Sequence, residues 1–274
     1  RWLAENGQPN PPVHEISKET IRRYYFNLAN QGMRPRTIAS TLHALRCLWG
    51  YLVKQEVLEQ NVAALIRIPK LDATSRKTIS DEEVERLLEA TDRQTSDFRC
   101  IRDRAILSTL IFGALRRQEL LDLQFDDVNL EARVLVIQRG KGSKRRQIPL
   151  CRELHEALTD WLALRRTLKT KTDRLFTIPG GRPLGDAALT RLVNDAAAIA
   201  GMRGDPRIRP HAIRHNAATR MLRNGMDLKS VSVWLGHTEL RTTSIYLHSS
   251  EQELQKMADL AGFKKEEPPA PTAA

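Results

Sequence analysis

The sequence lacks the features of membrane, secreted and disulfide-stabilised proteins. No run in its 274 residues approaches the ~18 consecutive apolar residues of a membrane span, and no secretory segment is visible. Its cysteines are few, odd in number and scattered, at Cys47, Cys100 and Cys151. This spacing gives neither a disulfide framework nor a metal site and is typical of a reducing cytosol. We therefore expect a cytoplasmic protein with no membrane partner.

The sequence also lacks the motifs of two common phosphate chemistries. It contains no Gly-x4-Gly-Lys-Ser/Thr loop, so nucleotide hydrolysis has no support. A two-metal nuclease needs a cluster of carboxylates at its centre, and no run of Asp or Glu lies among the motifs described below. We expect neither a metal ion nor another cofactor.

Positive charge is present in excess. The chain has 44 Lys and Arg against 33 Asp and Glu, for a net charge of +11. A solvated basic surface is the simplest explanation, but an excess of this size favours a polyanionic partner. Residues 1–70 contain 10 Lys and Arg against 5 Asp and Glu, so nearly half of the excess lies in the first quarter of the chain.

Hydrophobic periodicity predicts two domains. Helical spacing runs from Ser17 to Lys54, a polar stretch without periodicity follows at 68–80, and Ser80 then caps a new helix. We expect a small, basic helical domain over residues 1–70 with an incomplete amino end, a linker over 71–79, a larger, mostly helical domain over 80–262 and a disordered tail over 263–274. The chain opens on Arg1 rather than Met, which is why we expect that end to be incomplete.

The second domain is predicted to be mainly helical around one small sheet. Residues 100–115 form the most continuous apolar helix, and 133–150 have the pattern of a β-hairpin with a strongly basic connection. Further helical patterns cover 152–167, 185–200, 210–224, 227–235 and 250–260. The fold class is therefore mainly α with a small antiparallel β-sheet (α+β).

One helix carries ionisable residues on its apolar side. In "RPHAIRHNAATRMLRNG" (209–225), His211 and Arg214 project from the same side as Ile213 and Met221. Buried partners could satisfy both side chains, because buried ionisable groups are normally paired. Alternatively, the two side chains could be placed to receive an anion. The helix alone does not decide between these interpretations.

Other polar residues are each weak as single signals but form a coherent set. Two arginines, two histidines, a hairpin lysine between glycines and a tyrosine suit a phosphodiester. Guanidinium groups match the nonbridging oxygens, fixed positive charge stabilises the transition state, and a Lys or His can protonate the leaving oxygen. The set consists of Arg116, Lys141, His211, Arg214, His237 and Tyr246.

The order of these residues resembles the tyrosine recombinases, or lambda-integrase family, especially its Xer-like two-domain members. The resemblance covers roughly residues 17–262 and rests on four ordered motifs: "ALRRQELLDL", "RGKGSKRRQIPL", "HAIRHNAATRML" and "WLGHTELRTTSIYLH". Small departures are Ala114 where the family usually has Gly, Gln118 where a small polar residue is common, and Ile213 where Leu is usual. The resemblance implies a SAM-like helical core-binding domain followed by a tyrosine-recombinase catalytic domain.

The resemblance also implies roles for individual residues. Tyr246 would attack the scissile phosphate to give a 3′-phosphotyrosine, and Lys141 would protonate the departing 5′-oxygen. The nonbridging oxygens would be held by Arg116 and Arg214, His211 and His237 would assist the transition state, and Glu119 would brace an arginine. Neither ATP nor a metal would be required.

Double-stranded DNA recombination sites are the implied partner, together with further copies of the chain. In the family four protomers act through a Holliday junction, and the C-terminal helix often docks on a neighbour. The stripe of Leu254, Met257, Leu260 and Phe263 could exchange in this way or pack within its own domain. Phosphate contacts are expected from Arg34, Arg36, Thr37, Lys144, Arg145 and Arg146.

Three alternative functions share some of these features. Relaxation of DNA by a type IB topoisomerase uses the same chemistry, a DNA-binding regulator would have lost catalysis, and an RNA-binding or structural helical protein would explain only the charge. Integration, excision, dimer resolution and transposition would all use the same residues, so the sequence does not distinguish among them.

Overall fold

A computed structural model of the chain describes residues 2–7, 11–68, 78–94, 96–138, 145–236 and 251–263. The chain divides into two compact units, residues 1–76 and 77–274. Most of the linker predicted over 71–79 and nearly all of the tail predicted over 263–274 lie outside the described residues.

The first unit is helical, as the periodicity predicts. Its helices are α1 (Trp2–Glu5), α2 (Lys18–Asn30) and α3 (Pro35–Lys54), with short 3-10 turns at Val13–Glu15 and Val62–Leu65. The Ser17 hydroxyl caps α2 by accepting the amide of Thr20, and α3 starts on a proline, which suits a first helical turn. The helices pack around a small apolar core of Ile21, Leu28, Ile38, Leu42, Trp49, Ala63 and Ile66.

The second unit contains the remaining described helices. They are α4 (Asp81–Asp92), α5 (Asp97–Ile111), α6 (Arg117–Asp122), α7 (Arg152–Thr167), α8 (Asp186–Ile199), α9 (Pro210–Arg223), α10 (Leu228–Leu235) and α11 (Glu251–Ala261). The predicted cap is present at α4, where Ser80 and Glu83 form a reciprocal capping box. Helix α5 is buried over its last two turns and lies in the core of this unit. The predicted helices are therefore confirmed, with α6 as a short addition.

A three-stranded antiparallel sheet completes the second unit. Its strands, in sheet order, are β1 (Val128–Asn129), β2 (Val134–Ile137) and β3 (Arg146–Pro149). Strands β2 and β3 form the predicted hairpin, in which Val134 pairs with Pro149 and Ile137 with Arg146. Residues 139–144 of its basic connection lie outside the described residues. Strand β1 is only two residues long, too short for the alternation by which strands are predicted.

Helix α11 packs on its own unit. Ala258 and Ala261 are fully buried, and Met257, Leu260 and Phe263 pack against the main core. The last turn of α11 is held by Arg220 of α9 and by Asn224, the residue after α9. Arg220 Nη2 donates to the Ala261 carbonyl at 3.1 Å, and Asn224 Nδ2 donates to the Leu260 carbonyl at 3.0 Å. The single chain thus adopts packing within its own domain, and exchange of this helix between subunits stays a prediction.

Two general features concern the chain as described. Within those residues, no helix has both the length and the apolar character needed to cross a bilayer. The three cysteines are free thiols: Cys47 is exposed, Cys100 is half-buried and Cys151 is buried.

Candidate active site

Helix α9 carries His211 and Arg214 in its first turn and a half. The imidazole of His211 is exposed, whereas Arg214 retains only 8% of its surface. Arg214 Nη1 donates to the Ala114 carbonyl at 2.7 Å, and Nη2 donates to the Leu235 carbonyl at the end of α10. Arg214 is therefore buried and held by neutral main-chain acceptors from two other elements.

The turn between α5 and α6 supplies one of these acceptors and positions Arg116. Ala114 has a φ of +51°, in the left-handed region that favours glycine, the residue usual in the related family. Gly113 has no room for a side chain, because a Cβ there would lie 2.6 Å from the Thr109 carbonyl oxygen. The indole of Trp234 donates to the Gly113 carbonyl at 3.1 Å. This turn is tightly packed, and Arg116 follows it directly as the N-cap residue of α6.

A single buried carboxylate joins three arginines. Glu119 accepts the Arg116 amide at 2.8 Å and Arg116 Nη1 at 2.7 Å, and it accepts Nη1 and Nη2 of Arg146 at 3.0 and 2.7 Å. Arg214 Nη1 lies 3.6 Å from the same carboxylate. The Glu119 side chain is only 4% exposed. Glu119 therefore contacts both arginines of the predicted catalytic set.

The charge state of this cluster follows from its contacts. Burial by itself raises the pKa of Glu119, but the hydrogen bonds and charge of Arg146, together with the hydrogen bonds of Arg116, outweigh it and lower the pKa to about 2. Burial and the nearby charge of Arg116 lower the pKa of Arg214 to about 10. Glu119 and Arg214 are thus both charged at neutral pH. One carboxylate faces three guanidinium groups, so it leaves two of the three positive charges uncompensated.

The position of Arg146 differs from the one predicted from the sequence. The run of basic residues in the hairpin predicts that Arg146 contacts phosphate. Its side chain is instead buried against Glu119, and its Nε donates to the Trp234 carbonyl at 2.9 Å. The reason is strand alternation: Arg145 and Gln147 face solvent, and the residue between them faces the interior. This part of the sequence interpretation is corrected, whereas Arg145 is exposed as expected.

A cleft of about 1230 Å³ opens beside the arginine cluster. It is bounded by α6, α8, the start of α9 and the loop before α9, and both Arg116 and Arg214 line it. Further cations line it as well: Arg117 pairs with Asp186 at 3.0 Å, whereas the exposed Arg203 and Arg209 have no carboxylate within ion-pair distance among the described residues. The cleft can therefore receive a large anion.

The loop arginines of this cleft were not predicted from the sequence. The available signal was the arginine-rich stretch "MRGDPRIRP" (202–210) directly before a helix start, where phosphate contacts are common.

The predicted contacts Arg34, Arg36 and Thr37 lie exposed at the start of α3 in the first unit.

Four predicted residues lie outside the described part of the chain: Lys141, Lys144, His237 and Tyr246. Chain connectivity still relates two of them to the cluster. Lys141 belongs to the connection between β2 and β3, and His237 directly follows Gly236, whose carbonyl accepts Arg116 Nη2 at 3.2 Å. The structure thus brings together Arg116, Glu119, His211 and Arg214 and leaves the other catalytic candidates as predictions.

Comparisons with known proteins identify the family of this chain. Residues 77–253 match the phage integrase family. The chain is 33% identical over 247 residues to the tyrosine recombinase XerC of Actinobacillus pleuropneumoniae, covering 90% of this chain and 79% of that protein. It is also 33% identical over 248 residues to XerC of Haemophilus influenzae, covering 90% of this chain and 82% of that protein.

Solved structures of recombinases are similar to this chain as well. The XerH site-specific recombinase bound to its difH substrate is similar in a pre-cleavage complex, with a TM-score of 0.67 and 26% identity, covering 94% of this chain and 74% of that one. The post-cleavage complex on a palindromic substrate gives a TM-score of 0.69, covering 94% and 76%. The chain therefore belongs to the phage integrase family, as a tyrosine recombinase similar to XerC.

Proposed function

We propose that this chain cleaves and rejoins strands of duplex DNA at recombination sites through a 3′-phosphotyrosine intermediate formed by Tyr246. The observation that carries the proposal is the pair Arg116 and Arg214, held by Glu119 beside an open cleft with net positive charge. The complexes of XerH with difH DNA support duplex DNA as the substrate.

The chemistry follows from what a phosphodiester requires. The two guanidinium groups bind the nonbridging oxygens and stabilise the charge that develops at phosphorus, and because the cluster already holds them, little reorganisation is needed. The Tyr246 oxygen forms the new bond to phosphorus as the phenol gives up its proton to water. The bond to the 5′-oxygen breaks, and Lys141 supplies the proton to that oxygen. The phosphotyrosine conserves the bond energy, so the reverse attack by a 5′-hydroxyl rejoins a strand.

The DNA path follows from the exposed cations. The phosphate backbone accounts for much of protein–DNA affinity, and unpaired arginines contribute most because no carboxylate competes for them. Arg203 and Arg209 meet this condition in the cleft. We also propose phosphate contacts from Arg34, Arg36 and Thr37 in the first unit and from Lys144 and Arg145 in the sequence of the hairpin.

Strand exchange needs more than one active site. We propose that four copies assemble on two DNA sites and pass through a Holliday junction, with α11 exchanged between neighbours. Arg220 and Asn224 bind the end of α11 through its main-chain carbonyls. The α11 helix of another copy has the same carbonyls, so it can make the same hydrogen bonds. We place this activity in the cytoplasm.

A nicked suicide substrate tests the proposed chemistry. Cleavage next to the nick releases a short fragment, so rejoining fails and a covalent protein–DNA adduct accumulates. We expect the adduct to form in EDTA with the unmodified protein. Tyr246→Phe removes one oxygen and should abolish the adduct while DNA affinity is retained.

Two outcomes would contradict the proposal. An adduct with Tyr246→Phe would show that another residue is the nucleophile, and strict dependence on a divalent ion would show that the cationic cluster is not sufficient. A supercoiled plasmid with two sites separates the remaining alternative: a recombinase yields recombined circles, whereas a type IB topoisomerase yields only relaxed ones.

A further inference from the structure

We infer that Arg146 is a positioning residue for DNA cleavage, which acts through Glu119 and the end of α10 rather than by contacting DNA. This inference rests on the function proposed above. It differs from the role expected for Arg146 from its place in a basic hairpin.

The contacts of the Arg146 guanidinium use every one of its nitrogens. Nη1 and Nη2 donate to the two oxygens of Glu119 at 3.0 and 2.7 Å, and Nε donates to the Trp234 carbonyl at 2.9 Å. The side chain retains 7% of its surface. Because the side chain is buried, it would have to move outward and leave this bidentate pair to contact a phosphate, which is costly because Glu119 then loses its main partner.

The position of Arg146 explains why this matters for catalysis. It is the first residue of β3 and follows the connection that contains Lys141. Its guanidinium contacts Glu119, and Glu119 in turn accepts the amide and the guanidinium of Arg116. Through Trp234 it contacts the last turn of α10, after which Gly236 leads directly to His237. Elements that carry three predicted catalytic residues therefore meet at one side chain.

The packing against Gly236 shows how close this meeting is. A Cβ at Gly236 would lie 3.0 Å from Arg146 Nη1, and its φ of +65° is one that side-chain-bearing residues rarely adopt. The guanidinium thus lies against the backbone that accepts Arg116 Nη2. A displacement of Arg146 would therefore disturb both Arg116 and the backbone of Gly236, which His237 follows in the sequence.

The charges around Glu119 give a specific signature for this role. The groups that face its carboxylate are Arg116 from α6, Arg146 from β3 and Arg214 from α9, with the Trp234 carbonyl of α10 behind Arg146. Without Arg146, burial acts on a carboxylate with fewer partners, and its pKa rises. Cleavage should then decline at mildly acidic pH, in a range where Glu119 stays ionised in the unmodified protein.

The test measures single-turnover cleavage of the suicide substrate at saturating DNA for Arg146→Met, Arg146→Lys, Glu119→Gln and the double variant. Arg152→Met is the matched control, because Arg152 is 77% exposed on α7. We expect Arg146→Met to cleave about 100-fold more slowly, since misplaced groups of this kind cost about that much. Arg146→Lys keeps the positive charge but cannot form the two parallel hydrogen bonds of a guanidinium group, so it should restore only part of the rate. Arg152→Met should match the unmodified protein.

The double variant and the pH profile distinguish positioning from a general loss of structure. If Arg146 acts through Glu119, the double variant should cleave no more than about threefold slower than Glu119→Gln alone. Only Arg146→Met should show a new decline in rate between pH 7 and 5, because the double variant has no carboxylate to protonate.

Several results would overturn the inference. One is an unchanged cleavage rate in folded Arg146→Met. Another is weaker DNA binding with a smaller salt dependence and a normal rate at saturation, which would make Arg146 a phosphate contact. If Arg146→Met fails to fold, full activity of Arg146→Lys would overturn it equally. Absence of an adduct with the unmodified protein would instead refute the proposed function, and this inference with it.

Discussion

The buried carboxylate of Glu119 should make the second unit depend on pH in a way that one substitution removes. Its pKa falls from the ordinary 4.5 to about 2 on folding. At about 1.4 kcal/mol for each tenfold change, this corresponds to about 3 kcal/mol of stability at neutral pH. The side chain is 4% exposed, so solvent screening takes little from this value.

The sign follows from the direction of the pKa change. The folded protein binds the proton less tightly than the unfolded chain, so the stabilisation is fully present above about pH 5 and is lost as the pH falls through 4.5 towards 2. Glu119→Gln removes the charge and leaves Arg116, Arg146 and Arg214 without a carboxylate. We expect the variant to be less stable than the unmodified protein by about 3 kcal/mol at pH 7 and by only about 1 kcal/mol at pH 3.

Urea denaturation followed by tryptophan fluorescence measures this difference. Trp161 and Trp234 lie in the second unit, and the transition that they report should move, whereas the transition of Trp2 and Trp49 in the first unit should stay. If the free energies of unfolding of Glu119→Gln and the unmodified protein differ by the same amount at pH 7 and at pH 3, the reasoning is refuted. The carboxylate charge would then not be the source of the stability.

The remaining predictions concern the other cations of the cleft. Arg214→Ala should abolish adduct formation. It should also lower the free energy of unfolding by about 2–4 kcal/mol, because it leaves two main-chain carbonyls without their donor. An inactive variant with unchanged stability in urea would contradict the argument that Arg214 is buried and paired. Arg203→Gln and Arg209→Gln should each reduce by about 1 the slope of log K for DNA against log salt, with an unchanged melting temperature. Fluorescence anisotropy measures the slope, with the exposed Arg93→Gln as a control outside the cleft, and unchanged slopes in both variants would place the DNA elsewhere.

Local sequence signals predicted the elements of this fold because each depends on neighbouring residues. Ser80 with Glu83 marks the start of α4, and the spacing of apolar residues marks α9. The two-residue strand β1 has no such signal, since it exists only through pairing with β2. The same limit applies within the site: motif order identified Arg116 and Arg214, but it did not predict that Glu119 would join them to a third arginine.

The basic run of the hairpin shows this limit most clearly. Arg145 and Arg146 are adjacent and chemically identical in sequence, and the composition of the run favours phosphate contacts for both. Strand pairing places one in solvent and the other against a buried carboxylate 27 residues away in the chain. Charge counting cannot distinguish the two faces of a strand, whereas alternation along β3, once its register is known, does so directly.

The two interpretations of Arg214 that the sequence left open turn out to be compatible. One donor at Nη1 and one at Nη2 are satisfied inside the protein, so the residue is buried and paired. Its acceptors are neutral carbonyls, and the carboxylate near it among the described residues, Glu119, is shared with two other arginines. A dedicated ion pair would have cancelled the charge, whereas main-chain dipoles hold the guanidinium without cancelling it. The charge therefore remains available to an anion in the adjoining cleft, and the same contacts that bury the side chain fix it in place before the anion arrives.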